Sequence, residues 1–109
     1  MADTFTALVA EQADGRTAVK RTSLEESALP PGDVTIDIAY SSLNYKDGLA
    51  LTGRGKVIRK WPMVPGIDLA GRVRSSTTQR FRPGDPVLVT GYGLGVSAWG
   101  GFSQRARVK

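Results

Sequence analysis

The sequence predicts a domain of mainly β structure, a barrel or partly open barrel with one short helix. Several segments alternate apolar and polar residues with the period of a half-buried strand. Thirteen glycines and six prolines supply frequent turns along the 109 residues. The hydrophobic fraction of 40% is enough for one core in a chain of this length. About six short strands separated by turns favour a small barrel.

The first two predicted strands form a hairpin. Phe5–Ala10 and Thr17–Thr22 flank Asp14-Gly15, a dipeptide that favours a tight turn between antiparallel strands. Two later turns, Pro31-Gly32-Asp33 and Pro83-Gly84-Asp85, each precede a further predicted strand.

Four more strands complete the predicted sheet. The fifth, Val87-Leu88-Val89, is too short for its faces to be predicted. The sixth runs to Lys109, so we expect the chain to be cut from a longer protein. The residues expected on buried faces are Val34, Ile36, Ile38 and Tyr40 of the third strand, Ile67, Leu69 and Val73 of the fourth, and Phe102, Ala106 and Val108 of the sixth.

One helix is predicted, from Asn44 to Thr52. Asn44 is a good N-cap, Asp47 follows three residues later, and Gly53 is a suitable C-cap. Capping explains Asn44 and Asp47 but neither Tyr45 nor the lysine that follows it.

The same run is therefore a candidate functional site. Asn44, Tyr45, Lys46 and Asp47 place an amide, a phenol, an amine and a carboxylate between the clearest strand and the helix. Side chains at such a junction often reach a pocket, and capping alone is the competing explanation.

Composition excludes several chemistries. The chain has no cysteine and no histidine, which removes disulfides, thiol nucleophiles and the usual zinc ligands. We therefore expect no metal. No apolar run approaches the ~18 residues of a membrane span, and the N-terminus lacks a signal-peptide core, so we expect a cytoplasmic protein that does not bind membranes.

The net charge of +5 favours an anionic partner. Four positive charges lie within Arg54–Lys60. The segment could be a phosphate-binding loop, but a solvated turn is the favoured interpretation. With eight aromatic residues and no aromatic-rich strand, nucleic-acid binding is only an alternative. The glycines of Gly91–Gly95 have the spacing G-x-G-x-G and no following helix, so they predict a flexible loop rather than a dinucleotide site.

Three motifs in register resemble a known superfamily. They are Leu43–Asp47, Pro62–Gly71 and Pro83–Val87, and Trp99-Gly100-Gly101 extends the match. The sequence resembles the N-terminal part of medium-chain dehydrogenase/reductases, within them the branch of NADPH-dependent acryloyl-CoA reductases and quinone oxidoreductase-like proteins. Ile67 and Asp68 stand where zinc-dependent relatives carry His and Glu, so the resemblance is to the zinc-free branch.

The resemblance implies a fold and a function. Residues 1–109 would form a GroES-like catalytic (substrate-side) domain, a distorted β-barrel with one or two short helices, truncated before a Rossmann cofactor domain. The parent would be a homodimer that reduces a small-molecule substrate, an enoyl thioester of CoA or a quinone, with hydride from NADPH. Tyr45 and Asn44 would meet the cofactor, Asp47 would line the same cleft, and the three would be the catalytic residues. The fragment alone would be inactive. A nucleic-acid-binding barrel and a GroES-like interaction module without chemistry are the alternatives.

Overall fold

The computed structural model describes residues 4–13, 16–52, 58–59, 61–91 and 93–108 of the chain. These residues form six strands and one α-helix, so the prediction of a mainly β domain is confirmed. A single 3₁₀ turn, Glu26–Ala28, follows the second strand. The elements, in chain order, are β1 (Thr4–Ala13), β2 (Arg16–Glu25), β3 (Val34–Tyr40), α1 (Tyr45–Thr52), β4 (Asp68–Ser76), β5 (Pro86–Thr90) and β6 (Arg105–Val108).

The predicted N-terminal hairpin is present. β1 and β2 pair antiparallel, with Thr4 opposite Glu25 and Ala13 opposite Arg16. This register leaves two residues for the connection, as the Asp14-Gly15 signal requires. The two turn residues themselves lie outside the described residues.

The other strands form an antiparallel sheet in the order β5-β4-β3-β6. Its buried face matches the predicted alternation, because Val34, Ile36, Leu69, Val73 and Ala106 form one core cluster. These side chains are 3% exposed or less. The alternation of apolar residues therefore identified the core face of this sheet.

Tyr40 departs from the prediction. It was expected on the buried face of β3, but it is 77% exposed. The register of β3 against β4 shifts between Ile38 and Tyr40, which leaves Ala39 without a paired residue. An extra residue in one strand reverses the alternation beyond it, so the bulge turns Tyr40 outward.

The two sheets are joined without a continuous ladder among the described residues. The free edge of β1 makes isolated bridges from Ala7 to Ser103 and from Ala10 to Met63. A second core cluster, with Phe5, Val64 and Leu29, lies beneath the hairpin. Of the two architectures predicted, the described residues form the partly open one rather than a closed barrel.

The described residues of the glycine-rich segment form a packed turn, and the flexibility expected of this loop stays a prediction. Leu94 is 1% exposed, and the Gly93 carbonyl accepts hydrogen bonds from the backbone N–H groups of three following residues. A Cβ on Gly100 would collide with the Gly66 carbonyl oxygen. The glycines thus allow two backbone segments to touch.

Two features bear on possible partners. Most of the basic stretch 54–60 lies outside the described residues, and only Ile58, which is buried, and Arg59, which is exposed, are placed. Within the described ranges, no helix has the length and hydropathy needed to cross a bilayer.

Candidate functional site

The site begins where two antiparallel strands meet at one end of the sheet. Tyr40, the last residue of β3, is opposite Ala70 near the start of β4. Ser41 and Ser42, which follow β3, consequently lie against Asp68 at the start of β4. Residues separated by 26 positions in sequence thereby become neighbours.

Asp68 is the centre of this cluster. Its Oδ2 accepts hydrogen bonds from the Ser42 hydroxyl at 2.6 Å and from the Asn44 Nδ2 at 3.2 Å. Its Oδ1 accepts from the Ser42 backbone N–H at 3.1 Å and from the Ser41 hydroxyl at 3.3 Å. The Ser42 hydroxyl is the largest cause of a lowered pKa at Asp68, and these other donors add to it against the opposing effect of burial.

Asn44 and Asp47 form the cap of α1. The Asn44 carbonyl accepts the first helical hydrogen bond from the Gly48 N–H at 3.1 Å. The Asp47 Oδ2 accepts from the Asn44 backbone N–H at 3.0 Å, which is the return half of a capping box. Capping therefore explains the Asn44 backbone contacts and one contact of Asp47, but the Asn44 side chain bonds Ser42 and Asp68 through its Nδ2 rather than capping the helix.

Asp47 also connects the helix to the strand beside it. Its side chain is 1% exposed, and its Oδ1 accepts from the Ile67 backbone N–H at 3.1 Å. The expectation placed this carboxylate in the cleft, but the structure places it beneath the start of α1. Both of its oxygens are engaged with backbone N–H groups, which argues against direct contact with a substrate.

Tyr45 lies on the opposite side of the helix start. It is 84% exposed, so the alternative in which its ring packs beneath the helix with Leu49 is wrong. Lys46 is exposed beside it, and Leu43 is 73% exposed just before the cap. The described residues thus leave an aromatic ring and a large apolar side chain uncovered next to the Asp68 cluster.

A shallow depression adjoins the cluster. It encloses about 220 Å³ between the ends of β3, β4 and β5. Its polar wall is Ser41, Ser42 and Asp68, and its apolar wall includes the exposed side chains of Tyr40 and Leu88. Neither Ser42 nor Asp68 was predicted as a site residue. Ser42 is only two residues from Asn44 in sequence, whereas Asp68 is 24 residues away and comes to Asn44 only through strand pairing.

The described residues hold no group of three or more His, Cys, Asp or Glu side chains arranged to bind a metal ion. Asp47 and Asp68 approach the same Asn44 amide, but each carboxylate is occupied by hydrogen-bond donors. The described side chains of the cluster are thus arranged as a hydrogen-bond network rather than as a set of metal ligands.

The arrangement matches a known family. Residues 30–109 match the alcohol dehydrogenase GroES-like domain. The chain belongs to this family. The match begins just before β3 and covers the cap, the Asp68 cluster and the glycine-rich turn, which are the parts that form the candidate site.

Close relatives of this GroES-like domain are oxidoreductases. An oxidoreductase from Salmonella enterica, solved in complex with NADP, is 58% identical with a TM-score of 0.93 over 95% of this chain and 32% of that one. The Bacillus subtilis protein yhfP, solved with NAD bound, is 44% identical with a TM-score of 0.93 over 98% of this chain and 32% of that one. The acrylyl-CoA reductase AcuI of Ruegeria pomeroyi is 48% identical over 96% of this chain and 32% of its own length. The chain therefore spans about a third of the relatives it matches.

Proposed function

We propose that this chain is the N-terminal, substrate-side domain of a longer reductase. The reaction is hydride transfer from NADPH to an activated carbon–carbon double bond, as in acrylyl-CoA, or to a quinone. The observation that carries the proposal is the likeness, at 58% identity, to an oxidoreductase solved with NADP. A quinone is proposed as the other substrate class because the name of the Bacillus subtilis relative includes quinone oxidoreductase.

The described residues fit one end of a nicotinamide cofactor. Tyr45 offers an uncovered aromatic ring, and Asn44 beside it has a side chain fixed by the Asp68 cluster. No described strand is followed by a helix that starts at a glycine-rich turn, the usual cradle for a pyrophosphate. The remainder of the cofactor is therefore assigned to a further, Rossmann-type domain.

A bound nicotinamide supplies the hydride, and this chain positions the reactants. We assign Tyr45 and Asn44 to the nicotinamide end of the cleft. The Tyr45 hydroxyl is a donor that can stabilise charge on the substrate carbonyl or deliver a proton, with solvent as the other source. We assign Asp47 an indirect role, because its carboxylate is buried. It holds the N-terminal cap of α1 in place and does not contact the substrate.

The proposed reaction uses no metal. A chain without His and Cys lacks the ligands zinc prefers. Reduction of an activated double bond needs no Lewis acid, because the thioester or ketone carbonyl itself takes up the developing charge.

The test uses the full-length protein that carries this chain. We expect NADPH consumption in the presence of acrylyl-CoA or a quinone, with one product molecule formed per NADPH oxidised. A full-length protein that consumes no NADPH with either substrate class would contradict the proposal.

The two alternatives have their own signatures. A basic nucleic-acid-binding domain would bind DNA or RNA with an affinity that falls steeply with salt. An interaction module would fold and bind a protein partner without any cofactor. The proposed cytoplasmic homodimer is checked by fractionation and by sedimentation of the full-length protein.

A further inference from the structure

The Asp68 carboxylate fixes the orientation of the Asn44 side chain. Asn44 Nδ2 lies 3.2 Å from Asp68 Oδ2 and 3.4 Å from Asp47 Oδ2. Ionised carboxylates only accept hydrogen bonds, so the amide must present its NH₂ group to them. Reversing the amide would place its oxygen against two negative carboxylates.

This orientation leaves the Asn44 Oδ1 as an available acceptor. In the described part of the chain, no group donates a hydrogen bond to this atom. It is also not one of the buried side-chain atoms that lack a partner, so it is accessible. The Ser42 hydroxyl, by contrast, is already engaged both as a donor and as an acceptor. It donates to Asp68 Oδ2 at 2.6 Å and accepts from Asn44 Nδ2 at 3.1 Å.

Asn44 immediately precedes Tyr45, whose side chain is 84% exposed. An aromatic group that carries an N–H₂ donor is complementary to this pair, and the carboxamide of a nicotinamide ring has that chemistry. A ring that stacks or edges onto Tyr45 can direct its amide donor to Asn44 Oδ1.

We infer that Asp68 is a positioning residue: through Ser42 and Asn44 it presents the Asn44 Oδ1 to the carboxamide N–H₂ of the nicotinamide. Asp68 itself does not touch the cofactor. The inference rests on the proposed function and adds to it a residue outside the run Asn44–Asp47.

The experiment compares two cofactors in the full-length protein. One is NADP and the other is its acetylpyridine analogue, in which a methyl group replaces the carboxamide NH₂. Calorimetric titration gives the ratio of the two affinities without turnover. We expect the wild type to prefer NADP over the analogue by about 3- to 10-fold, the value of one hydrogen bond.

Asp68→Asn is expected to remove this preference. The variant weakens NADP binding by about the same 3- to 10-fold factor and changes binding of the analogue by less than about 2-fold. A purely structural role would weaken both cofactors equally, so equal losses, or no loss, would overturn the inference.

Three further variants keep the test decisive if Asp68→Asn folds poorly. Ser42→Ala removes the shortest contact to Asp68 and is expected to reduce the preference partly. Asp68→Glu keeps the carboxylate and should recover part of it. Asp85→Asn is the matched control, because Asp85 accepts from the Arg82 N–H in a distant turn and should leave the preference unchanged.

Failure of the proposed function gives a different result. A full-length protein that binds both cofactors with the expected preference but reduces no substrate would refute the reaction and keep the positioning role. One that binds neither cofactor would refute both.

Discussion

At the scale of single residues, neighbours in sequence have different roles. Tyr45 and Asp47 are separated by one residue, yet one is 84% exposed and the other 1% exposed. The turn of the helix sends the first outward and the second toward Ile67 N–H. Only the exposed member of this pair is available to a ligand.

Tyr45→Phe is expected to reduce activity without affecting the fold. Its hydroxyl contributes no described hydrogen bond, so the free energy of unfolding should change by less than about 0.5 kcal/mol. If the hydroxyl contacts cofactor or substrate, the loss is about 1.5–3 kcal/mol of transition-state stabilisation, roughly 10- to 150-fold in kcat/KM. Steady-state kinetics of the full-length protein and a urea titration measure the two quantities. Full activity in the variant would remove Tyr45 from the site.

The lowered pKa of Asp68 makes its contribution to stability dependent on pH. A carboxyl whose folded pKa lies below its ordinary value of 3.8 stabilises the fold above that pH, and the contribution disappears as the pH falls through the folded pKa. Asp68→Asn should therefore destabilise the chain at pH 7, and the difference from wild type should shrink below about pH 4. Urea titrations of both proteins across this range provide the measurement. A constant difference would show that the carboxylate charge is not involved.

At the scale of elements, β3 positions the site through its pairing with β4. Gly71 sits in this ladder, opposite Ile38, where the two backbones come close. A Cβ at Gly71 would collide with the Asp37 carbonyl oxygen, whereas a Cβ at Gly48 in α1 would meet nothing within 4 Å. The structure therefore has no room for a side chain at Gly71, but it has room for one at Gly48.

Alanine substitution at these two glycines should have opposite effects. Gly71→Ala forces the strands apart and is expected to cost about 1–3 kcal/mol of stability. Gly48→Ala, the matched control, improves helix propensity in open space and should add about 0.5–1 kcal/mol. Thermal or urea unfolding of the 109-residue chain compares them. A destabilised Gly48→Ala, or a neutral Gly71→Ala, would contradict the described packing.

At the scale of the whole molecule, the chain supplies only part of the proposed enzyme. It matches about a third of each relative and lacks, among its described elements, a phosphate-binding strand–turn–helix unit. Hydride transfer requires a cofactor held within reach of the substrate. Contacts to the nicotinamide end of the cofactor alone do not hold it within reach of the substrate.

The isolated 109-residue chain is therefore expected to be inactive. Mixed with NADPH and acrylyl-CoA or a quinone, it should consume no more cofactor than a protein-free control. The full-length protein under the same conditions is the positive control. Turnover by the fragment would contradict this expectation, because it would show that this domain binds the cofactor productively without a second domain.

The sequence alone determined the β class, the hairpin, the helix and the core face of the sheet. Each of these depends on local turn chemistry or on the two-residue period of a strand, which can be read without knowing the partners. The resemblance to its family also rests on local motifs, and the match to residues 30–109 bears it out.

Tertiary structure decided the composition of the site. Tyr40 faces outward because a bulge reverses the strand period, and a bulge appears only when the pairing strand is known. Asp47 is buried because Ile67 N–H comes to it from another segment. Asp68 joins Asn44 because antiparallel pairing folds 24 residues of sequence into one contact. Such contacts depend on which strands meet and in what register, and no local pattern encodes that choice.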